Sequence, residues 1–386
     1  MKVKLVTIGR FHHFHLARQL HRFNLLDEIY SSYPKFKLRN EYGIPKNKIK
    51  TYPYYQVPFM LSNKYLKKSL PKINHYLSNL SQKTLSNKAA KNIGEANILI
   101  AQSDSALEVG QKIKKLSGKF ICDRGSSHIL FQKEILREEY KELNMPFNEM
   151  SDDTIDRAIN EYDEANIISV PSTFALNTFL EKGFDRKKLF LNPYGVDLQR
   201  FKPLPRINSD KFKVLYVGNL SVRKGIVYLL EAFKKLNFKN KELTLIGPIQ
   251  KNIKKKIEKY FSENIKYLSI VKNSQLNKHF SNADVMVQPS IEEGLSLVIA
   301  EALACGCPVI ATENTGATDL INNDSEGFII KPRSVEKIYE KLEQLADDEN
   351  LRKRMSINAA LKTKKIGGWD EYGDRWVSKL NNLNYE

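Results

Sequence analysis

Two glutamates, Glu293 and Glu301, are separated by seven residues where a strand, a loop and a helix follow one another in the sequence. An apolar run ends before Pro289, which suits the end of a buried parallel strand. Ser296 suits the N-cap of a helix, and Gly306 suits its end. This pattern predicts Glu293 in the loop and Glu301 about a turn and a half into the helix. Two such carboxylates could accept hydrogen bonds from hydroxyl groups at the two ends of one polyhydroxylated ligand.

The residues after Glu293 are predicted to begin a helix whose first amide groups have no partner within the helix. These residues are Gly294, Leu295, Ser296 and Leu297. Free N–H groups and the helix dipole favour phosphate at such a terminus, and Gly294 lets a ligand approach the backbone. Because the loop follows a parallel strand, we expect it at the carboxyl edge of a sheet, where open α/β proteins bind ligands.

Two adjacent cations, Arg223 and Lys224, follow another predicted strand, which ends at Gly218. Cations at this position can neutralise a diphosphate and the charge that develops on it as it departs. A basic pair on an exposed loop is also common on ordinary protein surfaces. The short distance from the strand end is what favours a functional role.

These segments together resemble retaining glycosyltransferases of the GT-B fold, family 4. The similarity lies in the two glutamates of an E-x7-E motif within P-S-x-x-E-G and E-A-x-A-C-G-x-P-V-I, and in the N-T-G-A that follows. A G-x-L-x-x-x-K-G stretch holds the two cations, and residues 192–197 with Phe201 resemble the segment before the second lobe. The resemblance covers essentially all of the second lobe and is weaker in the first.

The resemblance implies an activity and roles for these residues. It implies transfer of a sugar from a nucleotide diphosphate sugar, such as a UDP- or GDP-sugar, to an acceptor hydroxyl, with retention at the anomeric carbon. Glu293 would orient the sugar without acting as a nucleophile, and Glu301 would hold the nucleotide ribose. Arg223 and Lys224 would hold the diphosphate, which on a same-face path helps to take the acceptor proton. The implied donor-binding set is completed by residues after three strands: Gly218, Gly247 and Val271.

No cofactor is expected. The sequence has no D-x-D motif in a supporting context, and Arg223 and Lys224 could replace a metal, so metal independence is predicted. Two alternatives stay open. One is another GT-B enzyme, an epimerase that would act on a nucleotide-sugar without acceptor or a phosphorylase that would need phosphate. The other is a non-catalytic protein that binds a nucleotide-sugar or a membrane.

The first lobe supplies candidates for the acceptor side of the cleft. They share a position at or just after the end of a predicted strand: Gly9, Arg10, His12, Asp104 and Arg124. His128 is the predicted catalytic histidine, because the resemblance implies a histidine here at the reacting face of the donor sugar. A structural histidine in a turn is the alternative. His12, His13 and His15 lack a fourth ligand and a helical i,i+4 pair, so no metal site is predicted from them.

Length and patterning predict two α/β domains with parallel sheets. Single cores rarely grow beyond about 250–300 residues, and strands alternate with helices throughout this chain of 386 residues. With the resemblance, this predicts two Rossmann-like domains facing a cleft. The first, residues 1–200, would bind the acceptor, and the second, residues 201–365, would bind the nucleotide-sugar donor. A helix of residues 366–386 would cross back to the first domain.

Positive charge is concentrated in the first third of the chain. Residues 1–120 hold 22 Lys and Arg against 6 Asp and Glu, a net charge of +16, whereas the other 266 residues carry only +2. This asymmetry predicts an anionic or lipid-linked glycan acceptor, as in bacterial lipopolysaccharide or capsule assembly. The aromatic segment 52–61 and the basic segment 64–70 would suit an anionic membrane surface, and helices packed on the sheet are the equal alternative.

The remaining features predict a cytoplasmic protein. The positive charge of the first third of the chain additionally predicts contact with the inner face of the cytoplasmic membrane. Three cysteines are too few and too ill-spaced for a disulfide framework. The first residues enter a strand directly, and no apolar run approaches the roughly 20 residues that a membrane span requires. No nucleic-acid-binding module is recognisable, so nucleic acid is not an expected partner.

Overall fold

Seven parallel strands form the sheet of the first domain in the computed structural model, which describes residues 1–65 and 71–385. The strands are β1 (Val3–Thr7), β2 (Leu26–Ser31), β3 (Ile49–Thr51), β4 (Ile98–Gln102), β5 (Lys119–Asp123), β6 (Ile167–Val170) and β7 (Leu189–Leu191). Their order is β3-β2-β1-β4-β5-β6-β7. Every residue of β1 and of β6 is buried, as expected for a parallel sheet that is covered on both faces. The order places the ends of β1, β4 and β5 side by side.

Helices connect the strands of the first domain. They are α1 (Phe11–Arg22), α2 (Gln56–Tyr65), α3 (Pro71–Lys91), α4 (Leu107–Lys115), α5 (Ile129–Glu142), α6 (Asp152–Glu164) and α7 (Thr173–Glu181). Short 3-10 turns lie at Lys35–Leu38, Lys46–Lys48 and Arg186–Lys188. Ser151 and Ser172 cap α6 and α7 through their side chains, which accept backbone N–H groups of the first turn.

The second domain has a parallel sheet of six strands in the order β10-β9-β8-β11-β12-β13. The strands are β8 (Phe212–Val217), β9 (Lys241–Ile246), β10 (Ile265–Leu268), β11 (Val285–Gln288), β12 (Val309–Thr312) and β13 (Gly327–Ile330). The helices are α8 (Ile226–Lys235), α9 (Lys254–Glu258), α10 (Asn273–Asn282), α11 (Leu297–Ala304), α12 (Ala317–Leu320), α13 (Val335–Asp347) and α14 (Glu349–Ile366), with a 3-10 turn at Glu313–Thr315.

The strand, loop and helix around the two glutamates are β11, the loop 289–296 and α11, which confirms the predicted sequence of elements. Gly306 has φ +72 just after the helix, a conformation that an L-residue adopts only with strain. Ser296 occupies the N-cap position, but its hydroxyl makes no capping hydrogen bond. The predicted cap is therefore correct in position and different in its bonding.

The last helix, α15 (Trp369–Tyr385), packs back on the first domain. Gln19 of α1 donates to Asp370 Oδ1 at 2.8 Å, and Arg375 donates to Asn192 Oδ1 at 2.7 Å. The chain crosses itself where Val196 bridges Gly368. A Cβ on Gly195 would meet the carbonyl oxygen of Gly368 at 2.3 Å, so only glycine permits this crossing.

The predicted fold is confirmed: two parallel-sheet domains face each other, and the terminal helix returns to the first. The predicted boundary at residues 200 and 201 falls in the connection between β7 and β8. The basic segment 64–70 lies outside the part of the chain whose side chains the structure describes. Among the described residues, no helix is both long and apolar enough to span a membrane.

Candidate functional site

A cleft of about 740 Å³ opens between the two domains. Six of the predicted site residues line it, four from the first domain and two from the second: Arg10, His12, Asp104, Arg124, Arg223 and Leu297. The lobes meet at the carboxyl ends of their parallel strands, which is where open α/β sheets bind ligands. The structure thus brings residues from both halves of the sequence to one site.

Glu293 and Lys224 form an ion pair beside this cleft. The Nζ atom of Lys224 lies 2.5 Å from Glu293 Oε2, and Oε1 accepts from Gln288 Nε2 at 2.7 Å and Ser290 Oγ at 2.5 Å. Burial alone would raise the pKa of Glu293, but the charge of Lys224 and these hydrogen bonds outweigh it and lower the pKa. Glu293 is therefore an ionised hydrogen-bond acceptor at neutral pH, which suits sugar hydroxyls better than proton donation.

A glycine sets the distance between the two loops that carry this pair. Gly225 follows Lys224 with φ +61, and a Cβ there would lie 2.0 Å from the carbonyl oxygen of Pro289. Because the loop before α8 rests directly on the loop after β11, Lys224 is held against Glu293. The G-x-L-x-x-x-K-G stretch and the glutamate loop are thus one physical unit.

Glu292, which the sequence analysis did not single out, links the two domains. Its side chain is fully buried, and Arg223 Nε donates to its Oε2 at 2.8 Å. From the first domain, Ser127 N and Oγ donate to Oε1 at 3.0 and 2.8 Å, and Gln132 Nε2 donates to Oε2 at 2.7 Å. Burial opposes ionisation, but Arg223 and these donors lower the pKa of Glu292. The feature of the sequence that could have indicated Glu292 is its position directly before the motif glutamate, Glu293.

The beginning of α11 touches the first domain directly. A Cβ on Gly294 would lie 2.2 Å from the carbonyl oxygen of Gly125, and Ser172 Oγ donates to the carbonyl oxygen of Gly294 at 2.5 Å. The hydroxyl of Ser296 is buried and has no hydrogen-bond partner within the described chain, and Leu295 is buried in the core. The two lobes are therefore in contact over the predicted donor-binding loop.

Glu301 lies in the second turn of α11, close enough to the cleft-lining residues Asp197 and Arg200 for their charges to act on it. Burial raises the pKa of Glu301 to about 8, with Arg200 opposing the rise and Asp197 adding to it. Its carboxyl group makes no side-chain hydrogen bond to the described residues. It is therefore available to accept hydrogen bonds from the hydroxyl groups of a ligand.

The remaining donor-side residues lie at strand ends away from the cleft lining. Gly218 has φ +151 and Gly247 has φ +137, and a Cβ on Gly247 would meet the carbonyl oxygen of Gly218 at 2.0 Å. Val271 follows β10 and is partly buried against the core. These positions allow close backbone contacts between the ends of β8 and β9.

His128 occupies a different place from the one that the resemblance implied. Its Nδ1 accepts from the backbone N–H of Leu130, which makes it the N-cap of α5. The ring packs among Tyr162, Phe179 and Phe184, and it is not part of the cleft lining. Burial, then the charges of Arg124 and Lys182, lower its pKa to about 4, so the ring is neutral near pH 7. The structure does not bring His128 to the cleft, because the ring turns back onto its own helix.

Of the cleft-lining histidines His12 and His15, His12 is the one that pairs with a carboxylate among the described residues. Its Nε2 lies 2.6 Å from Asp123 Oδ2, and its ring lies 4.4 Å from that of Tyr194. Burial alone would raise the pKa of Asp123, but the charge of His12 and its hydrogen bond, with His13 and Ser169, lower it. Asp123 and Tyr194 were not among the predicted site residues. Asp123 belongs to no motif, and the segment 192–197 that contains Tyr194 was interpreted only as the approach to the second lobe.

His13 stands behind this pair and is fully buried. Burial first, then the charge of His12, lower its pKa to about 3, and neither ring nitrogen has a hydrogen-bond partner in the described chain. The donor atoms of His12, His13 and Asp123 lie within 4.8 Å of one another. This grouping has the composition of a small metal site, so the predicted metal independence stays a prediction to be tested.

The other first-domain candidates are fixed by buried partners. Asp104 has φ +76, and its N–H donates to the buried Glu161 at 2.6 Å. The guanidinium of Arg124 donates to Ser127 O at 3.0 Å and to Gln132 Oε1 at 2.9 Å. Arg10 pairs with a glutamate on the neighbouring loop. The carbonyl oxygen of Gly9 accepts from the hydroxyl of Thr7 at 3.2 Å, at the end of β1.

Comparison with known proteins locates the similarity in both lobes. Sucrose-phosphate synthase from Thermosynechococcus elongatus aligns with all of this chain and 99% of that chain, with a TM-score of 0.69 and 17% identity. HepE from Anabaena, solved in complex with UDP and glucose, aligns with 99% of this chain and 100% of that chain, with a TM-score of 0.73 and 15% identity. Two facing parallel-sheet domains with a cleft between them define the GT-B fold.

Sequence comparison locates the similarity in the second domain. Residues 199–362, less than half of the chain, match the model of glycosyl transferases group 1. A capsular polysaccharide biosynthesis glycosyltransferase of Staphylococcus aureus, CapM, is 33% identical over 157 residues, 40% of this chain and 41% of that protein. A D-inositol 3-phosphate glycosyltransferase of Pseudarthrobacter chlorophenolicus is 28% identical over 220 residues, 53% of this chain and 52% of that protein. The match therefore spans about half of these relatives or less.

Proposed function

We propose that the protein transfers a sugar from a nucleotide diphosphate sugar to an acceptor hydroxyl. The observation that carries this proposal is the joint arrangement of Lys224, Arg223 and Glu293 beside the α11 N-terminus. Two cations beside a helix N-terminus suit a diphosphate, and an ionised buried carboxylate suits sugar hydroxyls. Glu301, whose carboxyl group makes no side-chain hydrogen bond to the described residues, is the proposed acceptor for the ribose hydroxyls. The names of the matched relatives support a transferase activity.

A uridine diphosphate sugar is the first donor to test. HepE was solved with UDP and glucose and also with UDP-glucose, and it shares this fold along nearly the whole chain. The proposed contacts to the diphosphate and the ribose are common to all nucleotide-sugars, so they do not select a base. The preferred nucleotide base therefore has to be identified by measuring the binding of different nucleotides.

The acceptor is proposed to be an anionic or lipid-linked glycan of the bacterial cell envelope. Arg10 and Arg124 lie on the first-domain wall of the cleft, and Arg200 lies beside it on the interdomain connection. Guanidinium groups favour phosphate and carboxylate groups. CapM is named for capsule synthesis and the second relative for an inositol phosphate acceptor, which supports this class.

Retention of configuration is proposed from the E-x7-E resemblance. On this path the diphosphate departs from the face on which the acceptor attacks, with Arg223 and Lys224 neutralising its charge. Glu293 orients the sugar and forms no bond to it. The two cations would make a metal unnecessary, so we expect activity to survive exhaustive treatment with a chelator.

The donor site is tested by thermal unfolding with UDP, GDP, ADP, CMP and their sugars. We expect one nucleotide class to raise the unfolding midpoint, since a ligand at 100 times its Kd adds about 2.7 kcal/mol of stability. Lys224→Met and Glu301→Gln should each remove this shift. Lys235→Met, at the other end of α8 in an exposed ion pair, is the matched control. A well-folded wild type that responds to no nucleotide would contradict a donor site.

We propose separately that the first domain contacts a membrane. Exposed apolar side chains cluster in sequence around the segment 66–70: Tyr54, Tyr55, Leu61, Ile73 and Tyr76. Together with the net charge of the first third of the chain, they suit an anionic bilayer surface. We expect binding to phosphatidylglycerol vesicles at low salt, and release at high salt as the charges are screened.

Vesicle sedimentation with paired variants checks this. Tyr54→Ser combined with Tyr76→Ser should weaken binding, because both side chains are about two-thirds exposed, 60% and 65%. Ile270→Ser removes an even more exposed side chain, 84%, from the second domain and should have no effect. Equal binding by both variants, or none by the wild type at low salt, would remove the membrane from the proposal.

A further inference from the structure

One face of α1 lies along the wall of the cleft. Phe11, His15 and Arg18 follow one another at spacings of four and three residues, which places them on the same side of the helix, and all three line the cleft. The ring of Phe11 is 59% exposed and lies over Gly9, where an added Cβ would meet it at 2.7 Å. An exposed aromatic ring in a ligand cleft offers a surface on which the apolar face of a sugar can pack.

Two arginines beside this ring, one just before α1 and one within it, share a single carboxylate. Arg10 Nε donates to Glu41 Oε2 at 2.7 Å, and Arg18 Nη1 donates to Glu41 Oε1. The Glu41 side chain is only 1% exposed, and both of its oxygens are occupied by these bonds. The Arg18 guanidinium lies over the ring of Tyr42 at 4.8 Å. The shared carboxylate thus holds both guanidinium groups in the wall of the cleft.

This sharing leaves a positive charge that the described chain does not neutralise. Five arginines line the described cleft, and three of them each have a carboxylate of their own: Arg124 with Asp104, Arg200 with Asp197, and Arg223 with Glu292. Arg10 and Arg18 have only Glu41 between them among the described residues, so two positive charges face one negative charge. A guanidinium has five N–H donors, and each of these two uses one of them on Glu41. The remaining donors suit an oxyanion.

We propose that Arg10 and Arg18 form an acceptor subsite that binds an oxyanion, a phosphate or a carboxylate carried by a sugar, while Phe11 contacts the sugar ring. This subsite rests on the proposed glycosyl transfer and deepens it, because it makes the charge of the acceptor the property by which the acceptor is selected. Arg124 is not part of the subsite, since its guanidinium is buried and already bonded within the first domain.

Ligand-detected saturation-transfer NMR with the full chain tests the subsite, because it reports weak binding of small sugars. The probes are glucose, glucuronic acid and glucose 6-phosphate, which share one type of ring and differ in charge. We expect an anionic probe to bind about 10–10²-fold more tightly than glucose, the usual contribution of a hydrogen bond to a charged group. The tighter of the two anionic probes identifies the oxyanion as a carboxylate or a phosphate. Binding of neither anionic probe, or equal binding of all three probes, would overturn the inference.

Substitutions on α1 separate the contributions to binding. Arg18→Met should reduce the affinity for the anionic probe to that for glucose, because Arg10 and Glu41 then neutralise each other. Phe11→Ala should weaken the binding of all three probes alike, since the ring contact does not depend on charge. Arg22→Met removes an arginine from the last turn of the same helix, where it forms a solvent-exposed ion pair, and should leave every affinity unchanged.

Two further variants locate the bound anion. Lys224→Met changes the proposed contact to the diphosphate. Binding that survives Arg18→Met and is lost in Lys224→Met would therefore place the anion at the donor site and overturn the subsite. If Arg18→Met does not fold, Arg10→Met replaces it, since the Arg10 side chain is half-exposed and its loss leaves Glu41 paired with Arg18.

The outcomes distinguish the subsite from the function on which it rests, because binding of these probes requires neither a nucleotide nor turnover. A protein that binds an anionic sugar through Arg18 but responds to no nucleotide loses the glycosyl transfer and keeps a site for anionic sugars. A protein that transfers sugar from a donor but binds neither anionic probe loses the subsite alone.

Discussion

Lys224→Met is expected to lower the rate of sugar transfer by about 10²–10³-fold, the usual cost of removing one charge-stabilising group. Lys224 is proposed to face the diphosphate, and at the same time it pairs with the buried Glu293 at 2.5 Å. Its loss would therefore leave a buried carboxylate without its cation, which costs about 3 kcal/mol of stability. Transfer assays and calorimetric unfolding measure the two effects separately.

A second substitution separates these two roles. Glu293→Gln combined with Lys224→Met removes both charges, so the unfolding midpoint should recover most of what the single variant lost. Transfer should not recover, because neither the diphosphate cation nor the sugar-binding carboxylate is restored. Lys235→Met, in an exposed pair, should change stability by less than about 1 kcal/mol. Recovery of transfer in the double variant would mean that the ion pair serves structure alone.

Gly294→Ala is expected to lower transfer by about 10²-fold, and nucleotide binding should weaken as well because Gly294 belongs to the donor-binding loop. A Cβ here would lie 2.2 Å from the carbonyl oxygen of Gly125 and 2.9 Å from Cα of Ser126, both backbone atoms of the other domain. The lobes would have to separate by about 1 Å, and a misplacement of that size between reacting groups costs about 10²-fold in rate. Steady-state transfer and nucleotide titration of the same variant measure the two properties.

A second glycine-to-alanine substitution, at the point where Val196 bridges Gly368, serves as the control. Gly368→Ala would place its Cβ 3.3 Å from the carbonyl oxygen of Val196, a contact that a small adjustment relieves. We expect this variant to transfer sugar at close to the wild-type rate. Wild-type transfer by Gly294→Ala would show that the reaction does not need the contact between the donor-binding loop and the first domain.

The sequence predicted the elements around the donor-binding loop because local physics sets them. Apolar runs closed by Pro289 and Gly306 define β11 and α11 through patterning and turn chemistry, which need no knowledge of distant contacts. The cations Arg223 and Lys224 follow the end of a strand by a few residues, so their position on the loop after that strand was predicted as well. The cap at Ser296 shows the limit, since its position follows from the pattern but its unbonded hydroxyl does not.

The orientation of the His128 side chain could not be predicted from the residues near it in the sequence. Its position after β5 was predicted, but a side chain at an N-cap can turn outward to a ligand or back to its own helix. The ring turns back because Tyr162, Phe179 and Phe184 provide an apolar site for it. Burial of the ring against these aromatic groups depends on α6 and α7, which the sequence near His128 does not contain.

By itself, the sequence determined the two-domain parallel α/β architecture, the glutamate loop and the adjacent cations, all of which depend on periodicity and on residues close together in the chain. Only the tertiary structure decided that His12 meets Asp123 across 111 residues and that Glu292 meets Ser127 across 165. The physical reason is the strand order: parallel strands bring their carboxyl ends to one edge whatever their separation in the chain, and the lobes then close edge to edge. Which side chains meet there is set by that packing and not by any local pattern.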